Sequence, residues 1–367
     1  MKKKVLFIIW SYSYGGGAER ILTNIVNNLD PSKYEIDILE YVYAGIKKEE
    51  INDNINLLNP IIDITDRSFI NRVNNYIKEK EVYRFPKLLR QKYIKKDYDV
   101  EIAFNYLIPT FLLNYNAKTI GWCHGAVTDL KENDKLKKLQ KKYYDKINKI
   151  VAISNKTFDS VIDVYPEYKN KVELIYNGFD KNNILNKIND YKAENIDILY
   201  CGRFDENKNP AKFIEIIKNI KKVKNDIMAG MLGIGKLEEN IKKMIDEYEL
   251  GDNVILYGYK DNPYPIINST KIMCLTSYSE GFPTVLMEGM ILGKPFISTE
   301  VAGTKEMSNS NKCGFVSNDN EMLCKYAIKL LEDKKLYDVM SRDSKKHAEN
   351  FTLINQIKNI ESIIDKE

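Results

Sequence analysis

The sequence predicts an α/β protein of two parallel-sheet domains, and three observations carry that expectation. Short apolar runs of strand length alternate with amphipathic runs from end to end, the pattern of repeated βαβ units. With 367 residues and 44% hydrophobic side chains, the chain has apolar material for two cores. The polar stretch 180–195, rich in Lys and Asn, separates two such series and reads as a connection.

Taken in order, the first series opens on Val5-Leu6-Phe7-Ile8-Ile9-Trp10, a continuous apolar run of the kind a parallel strand covered on both faces requires. Further strands are expected near 34–42, 99–104, 118–123, 149–154 and 171–176. Beyond the connection, strands are expected near 196–201, 226–232, 253–257, 271–277, 294–299 and 313–317. A helical pattern runs from Thr284 to a glycine stop at Gly293, and a last helix spans 352–363. The expected domains are 1–180 and 181–350, with 351–367 as a closing helix.

Composition narrows the chemistry. Five cysteines without a CxxC pair suggest neither a disulfide framework nor a thiolate zinc site, and two histidines rule out a histidine-rich metal centre. Without a signal peptide or a run of 18 apolar residues, the expectation is a cytoplasmic protein. Charge is uneven: residues 1–180 carry 29 basic and 24 acidic side chains, the remainder 27 and 28. Lys78–Lys96 holds eight Lys or Arg interleaved with apolar residues, and Lys131–Lys149 holds eight Lys. Such stretches suit a solvated helix face or a peripheral seat on an anionic membrane, where each Lys or Arg contributes about 1 kcal/mol. No nucleic-acid module accompanies the charge.

The loops after strands carry the candidate site. Ser279-Glu280-Gly281-Phe282-Pro283-Thr284-Val285-Leu286-Met287-Glu288 places two carboxylates eight positions apart around a Gly-Phe-Pro turn, at a strand's carboxyl end and a helix start. Ligands of open α/β sheets bind there, and a helix starting at Thr284 would aim free N–H groups at a diphosphate. Arg203 and Lys208 share a loop after strand 196–201 and could hold the same anion, one as a forked donor and one as a point charge. Gly15-Gly16-Gly17 permits close backbone approach. Neither that loop nor Gly233-x-Gly235 completes a GxGxxG fingerprint, since Arg20 and Glu238 occupy the third glycine positions, which excludes a nicotinamide enzyme.

In this order, Tyr14 to Arg20, Gly202 to Pro210, Leu232 to Gly235, Tyr257 to Tyr259, the acidic segment and Ala302 to Glu306 resemble the motifs of retaining GT-B-fold glycosyltransferases of family 4. The resemblance spans nearly the whole chain. It implies two Rossmann-like domains facing across a cleft, the first for the acceptor and the second for a nucleotide sugar, with the last helix crossing back to the first domain. It implies transfer from a donor, UDP-linked on family grounds, to a saccharide or lipid-linked saccharide in bacterial surface glycan synthesis, with no cofactor and no metal. Carried over by motif, Arg203 and Lys208 contact the diphosphate together with backbone at Thr284 and Val285. Glu288 holds the ribose and Glu280 the sugar, with Gly281 and Phe282 on the sugar's other side. Gly16, Gly17 and Gly233 approach the donor, and Tyr259 lies where the base docks. His124, after strand 118–123, takes a catalytic place near donor and acceptor, and Asn105 is an acceptor-side candidate. Gly303-Thr304 departs from the two glycines of many relatives. The alternatives are a non-catalytic partner subunit and a sugar-nucleotide epimerase of the same fold.

Overall fold

The computed structural model describes residues 1–14, 17–46 and 50–366. The chain divides into two units, residues 1–178 with 353–367 and residues 179–352.

The strands of the first unit are β1 (Lys3–Ile9), β2 (Tyr34–Glu40), β3 (Val42–Tyr43), β4 (Ile55–Leu57), β5 (Ile62–Asp63), β6 (Val100–Ala103), β7 (Lys118–Cys123), β8 (Lys149–Ala152) and β9 (Val172–Leu174). Short β3 and β5 pair with each other, and the rest form a seven-stranded sheet in the order β4-β2-β1-β6-β7-β8-β9. Every pairing is parallel. Val5 to Ile9 are all buried, so both faces of β1 are covered, as its unbroken apolar run requires. The strand order reverses between β1 and β6, the topological switch point at which such sheets bind ligands.

The closing helix, Leu353–Asp365, packs with this unit. It buries Ile357, Ile360, Ile363 and Ile364 along one face at helical spacing. Its end is tied to the first sheet by Lys3 Nζ at 2.9 Å from Asp365 and by the Tyr34 hydroxyl donating to the same carboxylate at 2.8 Å.

The second unit has a six-stranded parallel sheet: β10 (Ile196–Cys201), β11 (Ala229–Leu232), β12 (Val254–Gly258), β13 (Thr270–Leu275), β14 (Phe296–Ser298) and β15 (Gly314–Val316), in the order β12-β11-β10-β13-β14-β15. Its switch point lies between β10 and β13. The helix Pro210–Lys221 covers this sheet and begins for a local reason: Asn209 accepts a hydrogen bond from the Lys212 N–H at 3.3 Å, and Pro210 has its φ preset for a first helical residue. Phe213, Ile214, Ile216, Ile217 and Ile220 of this helix are fully buried, each worth about 1.5–3 kcal/mol over exposure.

Some boundaries differ from the expected ones. β13 stops at Leu275, before Thr276 and Ser277, because the next groups leave the ladder to bind loops. Thr276 Oγ1 donates to the Asn209 carbonyl at 2.8 Å, and the Ser277 carbonyl accepts from Thr299 Oγ1 at 2.6 Å. Within the polar stretch 180–195 a helix forms, Lys181–Asn186, because Asp180 caps it by accepting from the Asn183 N–H at 3.0 Å. The chain enters and leaves the second unit side by side, the Phe179 N–H donating to the Phe351 carbonyl at 3.0 Å.

Candidate functional site

At the switch point of the second unit, the loops after β10 and β13 are wired together. Lys208 Nζ lies 2.6 Å from Glu280 Oε1, and Ser277 Oγ donates to the same oxygen at 2.6 Å. The Tyr278 N–H donates to the Asn207 carbonyl at 2.8 Å, and Asn207 Nδ2 donates to the Ser279 carbonyl at 3.0 Å. The side chains of Lys208 and Glu280 are only 24% and 11% exposed, so the pair is partly desolvated and stiffer than a surface ion pair. Arg203, on the same loop, is exposed and held through Nε by Asp205 at 2.9 Å. Burial raises the Asp205 pKa, but the Lys208 backbone N–H and the Arg203 guanidinium outweigh it and hold the carboxyl below its ordinary value.

The helix Thr284–Ile291 begins next, with no side chain capping its start. The Leu286 and Met287 N–H groups donate to the Pro283 carbonyl at 3.2 and 3.5 Å, which leaves those of Thr284 and Val285 for a ligand, and the dipole favours an anion there. Glu288 lies one turn in and is 3% exposed. Phe282 is also buried: its ring packs 5.5 Å from that of Phe351, so towards a ligand this segment offers Gly281 and backbone.

Two glycines fit the loops to each other. At Gly233, φ is +145° and an added Cβ would lie 1.9 Å from the Gly202 carbonyl oxygen, so only glycine lets the loop after β11 pass the one after β10. Gly303 has φ +84°, and a Cβ there would meet the Phe282 ring at 2.7 Å. The departure from two glycines thus falls on Thr304, which instead caps a turn by donating from Oγ1 to the Val301 carbonyl at 2.7 Å. Tyr259 is exposed, following Gly258 at the end of β12, whose carbonyl accepts from the Gly233 N–H at 2.9 Å.

In the first unit the candidates sit at the ends of β1, β6 and β7. Gly16 and its neighbour Gly15 lie outside the described residues; Gly17 opens the helix Gly17–Asn28. Asn105 accepts from the Trp10 N–H at 2.9 Å, joining the two strand ends of the switch point. His124 is half-buried, its ring 4.4 Å from that of Phe104, and its Nε2 is buried without a hydrogen-bond partner among the described residues. Burial lowers its pKa to about 4, while a hydrogen bond to the Phe104 backbone works the other way, so the ring is neutral near pH 7.

Several residues around these sites were not singled out from the sequence. Glu40 accepts from the N–H groups of Tyr12 and Ser13 at 2.9 and 3.1 Å and from the Ser13 hydroxyl at 2.9 Å, fixing the segment that leads into the glycines. Burial raises its pKa against those hydrogen bonds. Ser277 and Asp205 orient Glu280 and Arg203; their only sequence signal is a polar residue just past an apolar strand. Among the described residues no three His, Cys, Asp or Glu side chains gather as a group fit for a metal, and no helix is long and apolar enough to cross a membrane.

Comparison with known proteins decides the family. Residues 180–347 match the model for glycosyl transferases group 1, and residues 15–183 match that for Glycosyltransferase Family 4. The chain belongs to this glycosyltransferase family. It is 27% identical, over 96% of its own length and 96% of the relative's, to the N-acetylgalactosamine-N,N'-diacetylbacillosaminyl-diphospho-undecaprenol 4-alpha-N-acetylgalactosaminyltransferase of Campylobacter jejuni. A second C. jejuni relative, which adds N-acetylgalactosamine to a diphospho-undecaprenol glycan, is 23% identical over 95% of both chains. The fold matches Anabaena HepE, solved with UDP, at a TM-score of 0.75 with 15% identity and 99% of each chain covered. The glycosyltransferase thus has the GT-B fold, with two Rossmann-like parallel-sheet domains and a last helix returned to the first.

Proposed function

We propose that this glycosyltransferase moves a sugar from a UDP-sugar to a saccharide carried on a lipid diphosphate, with retention of anomeric configuration, in the synthesis of a bacterial surface glycan. One observation carries the reading: a cation–carboxylate pair, Lys208 with Glu280, stands at the switch point beside an uncapped helix start, where a donor needs both charge and hydroxyl recognition. The two C. jejuni relatives, named for diphospho-undecaprenol acceptors, support the acceptor class, and the UDP complex of HepE supports the base.

In this reading Arg203, Lys208 and the N–H groups of Thr284 and Val285 neutralise the diphosphate as it leaves, an interaction that strengthens as charge develops on the leaving oxygen. Glu280 binds the sugar hydroxyls and is held in place by Lys208 and Ser277. Glu288 takes the ribose, Tyr259 the base, and Gly16, Gly17, Gly233 and Gly281 let backbone approach. The bond from the anomeric carbon to the diphosphate breaks, and an acceptor hydroxyl oxygen bonds to that carbon on the same face, its proton passing to the departing diphosphate. Neutral His124 and Asn105 serve the acceptor side. Lysine, arginine and helix dipole supply the positive field, and the reaction proceeds without a metal.

A seat on the inner face of the cell membrane is part of the proposal. The helix Phe69–Arg84 exposes Phe69, Ile70, Val73, Tyr76 and Ile77, and Phe85 and Leu88 follow, all among basic residues. Such an array suits an anionic bilayer surface.

Thermal melts against UDP-, GDP-, ADP- and CMP-sugars test the donor. UDP-sugars at a hundred times their Kd should stabilise the protein by about 2.7 kcal/mol. Arg203→Ala and the isosteric Glu288→Gln should abolish that shift. A folded protein that no nucleotide sugar stabilises would sink the reading and favour a non-catalytic subunit.

A further inference from the structure

At the amino-terminal ends of β6 and β7, the first unit holds a cavity of about 520 Å³. Asn105 and His124 follow those same strands, so the cavity lies at the opposite edge of the sheet from the acceptor-side candidates. Its size falls within the roughly 300–1,000 Å³ of small-molecule sites. Lys87 and Lys95 line it from one basic stretch, Lys142 and Lys146 from the other.

The wall is built so that these charges stay available. Arg90 and Lys96 also line the cavity, but their charges are spent behind it. The Arg90 guanidinium donates to both oxygens of buried Glu101, at 3.0 and 2.6 Å, and to the Leu112 carbonyl at 2.8 Å. Lys96 lies 2.7 Å from Glu35 and 2.9 Å from Asp37. By contrast, Lys87, Lys95, Lys142 and Lys146 form no ion pair with any described residue, and Asp97 is the one carboxylate in the lining. Lys142 Nζ is 5.7 Å from the centre of the Tyr143 ring and Lys146 Nζ 5.4 Å from that of Tyr115, so aromatic faces, not acids, hold these two ammonium groups, while Lys95 Nζ donates to the Gln91 carbonyl at 2.7 Å.

We propose that this cavity is a second anion-binding site, separate from the donor pocket, that takes a phosphate-bearing group. Several point-charge ammoniums around one space suit a multi-oxygen anion, and the tyrosines offer flat walls to the group that carries it. The phosphate can come from solution or from a lipid headgroup, and the exposed apolar residues Phe85 and Leu88 flank Lys87 at the start of its helix.

The test compares three variants with the parent protein: Lys142→Glu/Lys146→Glu; Asn116→Trp, which narrows the cavity at an exposed lining residue without changing charge; and Lys335→Glu/Lys346→Glu on the second unit as a charge-matched control. One arm measures inorganic pyrophosphate binding by calorimetry with UDP present, and the other measures sedimentation with phosphatidylcholine vesicles with or without phosphatidylglycerol. In one arm or the other, the cavity variants should lose affinity by at least about tenfold, given about 1 kcal/mol per lysine at such a surface, while the control changes by less than about threefold. Loss in the pyrophosphate arm identifies a soluble phosphate; loss confined to phosphatidylglycerol vesicles identifies a headgroup. Binding in neither arm overturns the site, as does an Asn116→Trp protein indistinguishable from the parent, which would mean diffuse surface attraction only. Stabilisation by UDP-sugar is read on every variant, so a failure of this site stays distinguishable from a failure of the donor reading.

Discussion

The two units share a parallel sheet with one switch point each, yet they treat that point differently. In the second unit the loops meeting there are joined by an ion pair and several hydrogen bonds, and the groups on show are charged: Lys208, Glu280 and Arg203. In the first unit the described links between the two strand ends are between uncharged groups, the Trp10 N–H donating to Asn105 and the Phe104 N–H to the Ile8 carbonyl, and the nearby ring, His124, is neutral. The Arg90–Glu101 pair and the lysine cavity lie at the opposite end of its sheet, while at the strand-end site the Glu40 carboxylate is taken up by the Tyr12 and Ser13 N–H groups and the Ser13 hydroxyl. A preorganised charged site suits a donor whose bond-breaking releases negative charge; a neutral ring suits an acceptor hydroxyl, which enters the reaction uncharged.

The largest expected effect tests whether the edge charges of the first unit are structural. Glu101 is fully buried and Arg90 nearly so, and burial raises the Glu101 pKa against the pull of Arg90 and the Asn114 N–H. Arg90→Ala strands that carboxylate and should destabilise the first unit by about 3–5 kcal/mol in denaturant melts. Arg90→Ala/Glu101→Met should recover most of the loss. UDP-sugar binding by the second unit is expected to survive both; its disappearance would show that the two sites are not independent.

Next comes the charged pair itself. Lys208→Ala leaves Glu280 with Ser277 as its partner among the described residues and removes a cation from the proposed leaving group. Transfer should slow on the order of 10²–10³-fold, chiefly in kcat, as for loss of one preorganised donor to developing charge. A change confined to KM would instead assign Lys208 to ground-state binding and blur the contrast between the units.

How much of this was legible in the sequence follows from the range of the interactions. The long strands and the loops after β10, β11 and β13 were readable because strand periodicity and Gly, Pro and Asn punctuation are local signals. The Asn209-Pro210 helix start that positions Lys208 is local too. Two-residue β3 and β5 were not expected, since so short a pair has no periodicity. Phe282 looked like a ligand wall because nothing local foretells Phe351, its packing partner 69 positions later in the chain. Glu40 was missed for the same reason, acting on Ser13 across two strand ends. The stretches 78–96 and 131–149 read as separate basic runs; only folding brings Lys87 and Lys142 to one cavity.

The smallest expected effect sharpens the claim that the first unit keeps the His124 ring of its strand-end site neutral. His124 ionises in the folded protein at about 4, against an ordinary 6.5, because burial disfavours the cation. Between those values the unfolded chain binds a proton that the folded one does not, so stability is fully present above about pH 6.5 and is lost as pH falls towards 4. One such group gives a slope of at most about 1.4 kcal/mol per pH unit, reduced here because the residue is only partly buried. His124→Gln, which cannot ionise, should show a shallower loss than the parent in denaturant melts between pH 6.5 and 4.5, with the two curves parallel above pH 7. If the variant also loses transfer at pH 7.5 while UDP-sugar stabilisation is unchanged, neutral His124 acts on the acceptor and not on folding. Identical slopes in the two proteins would mean that the ring is already charged or well hydrated in the folded state, and the contrast with the charged site of the second unit would then fail at this residue.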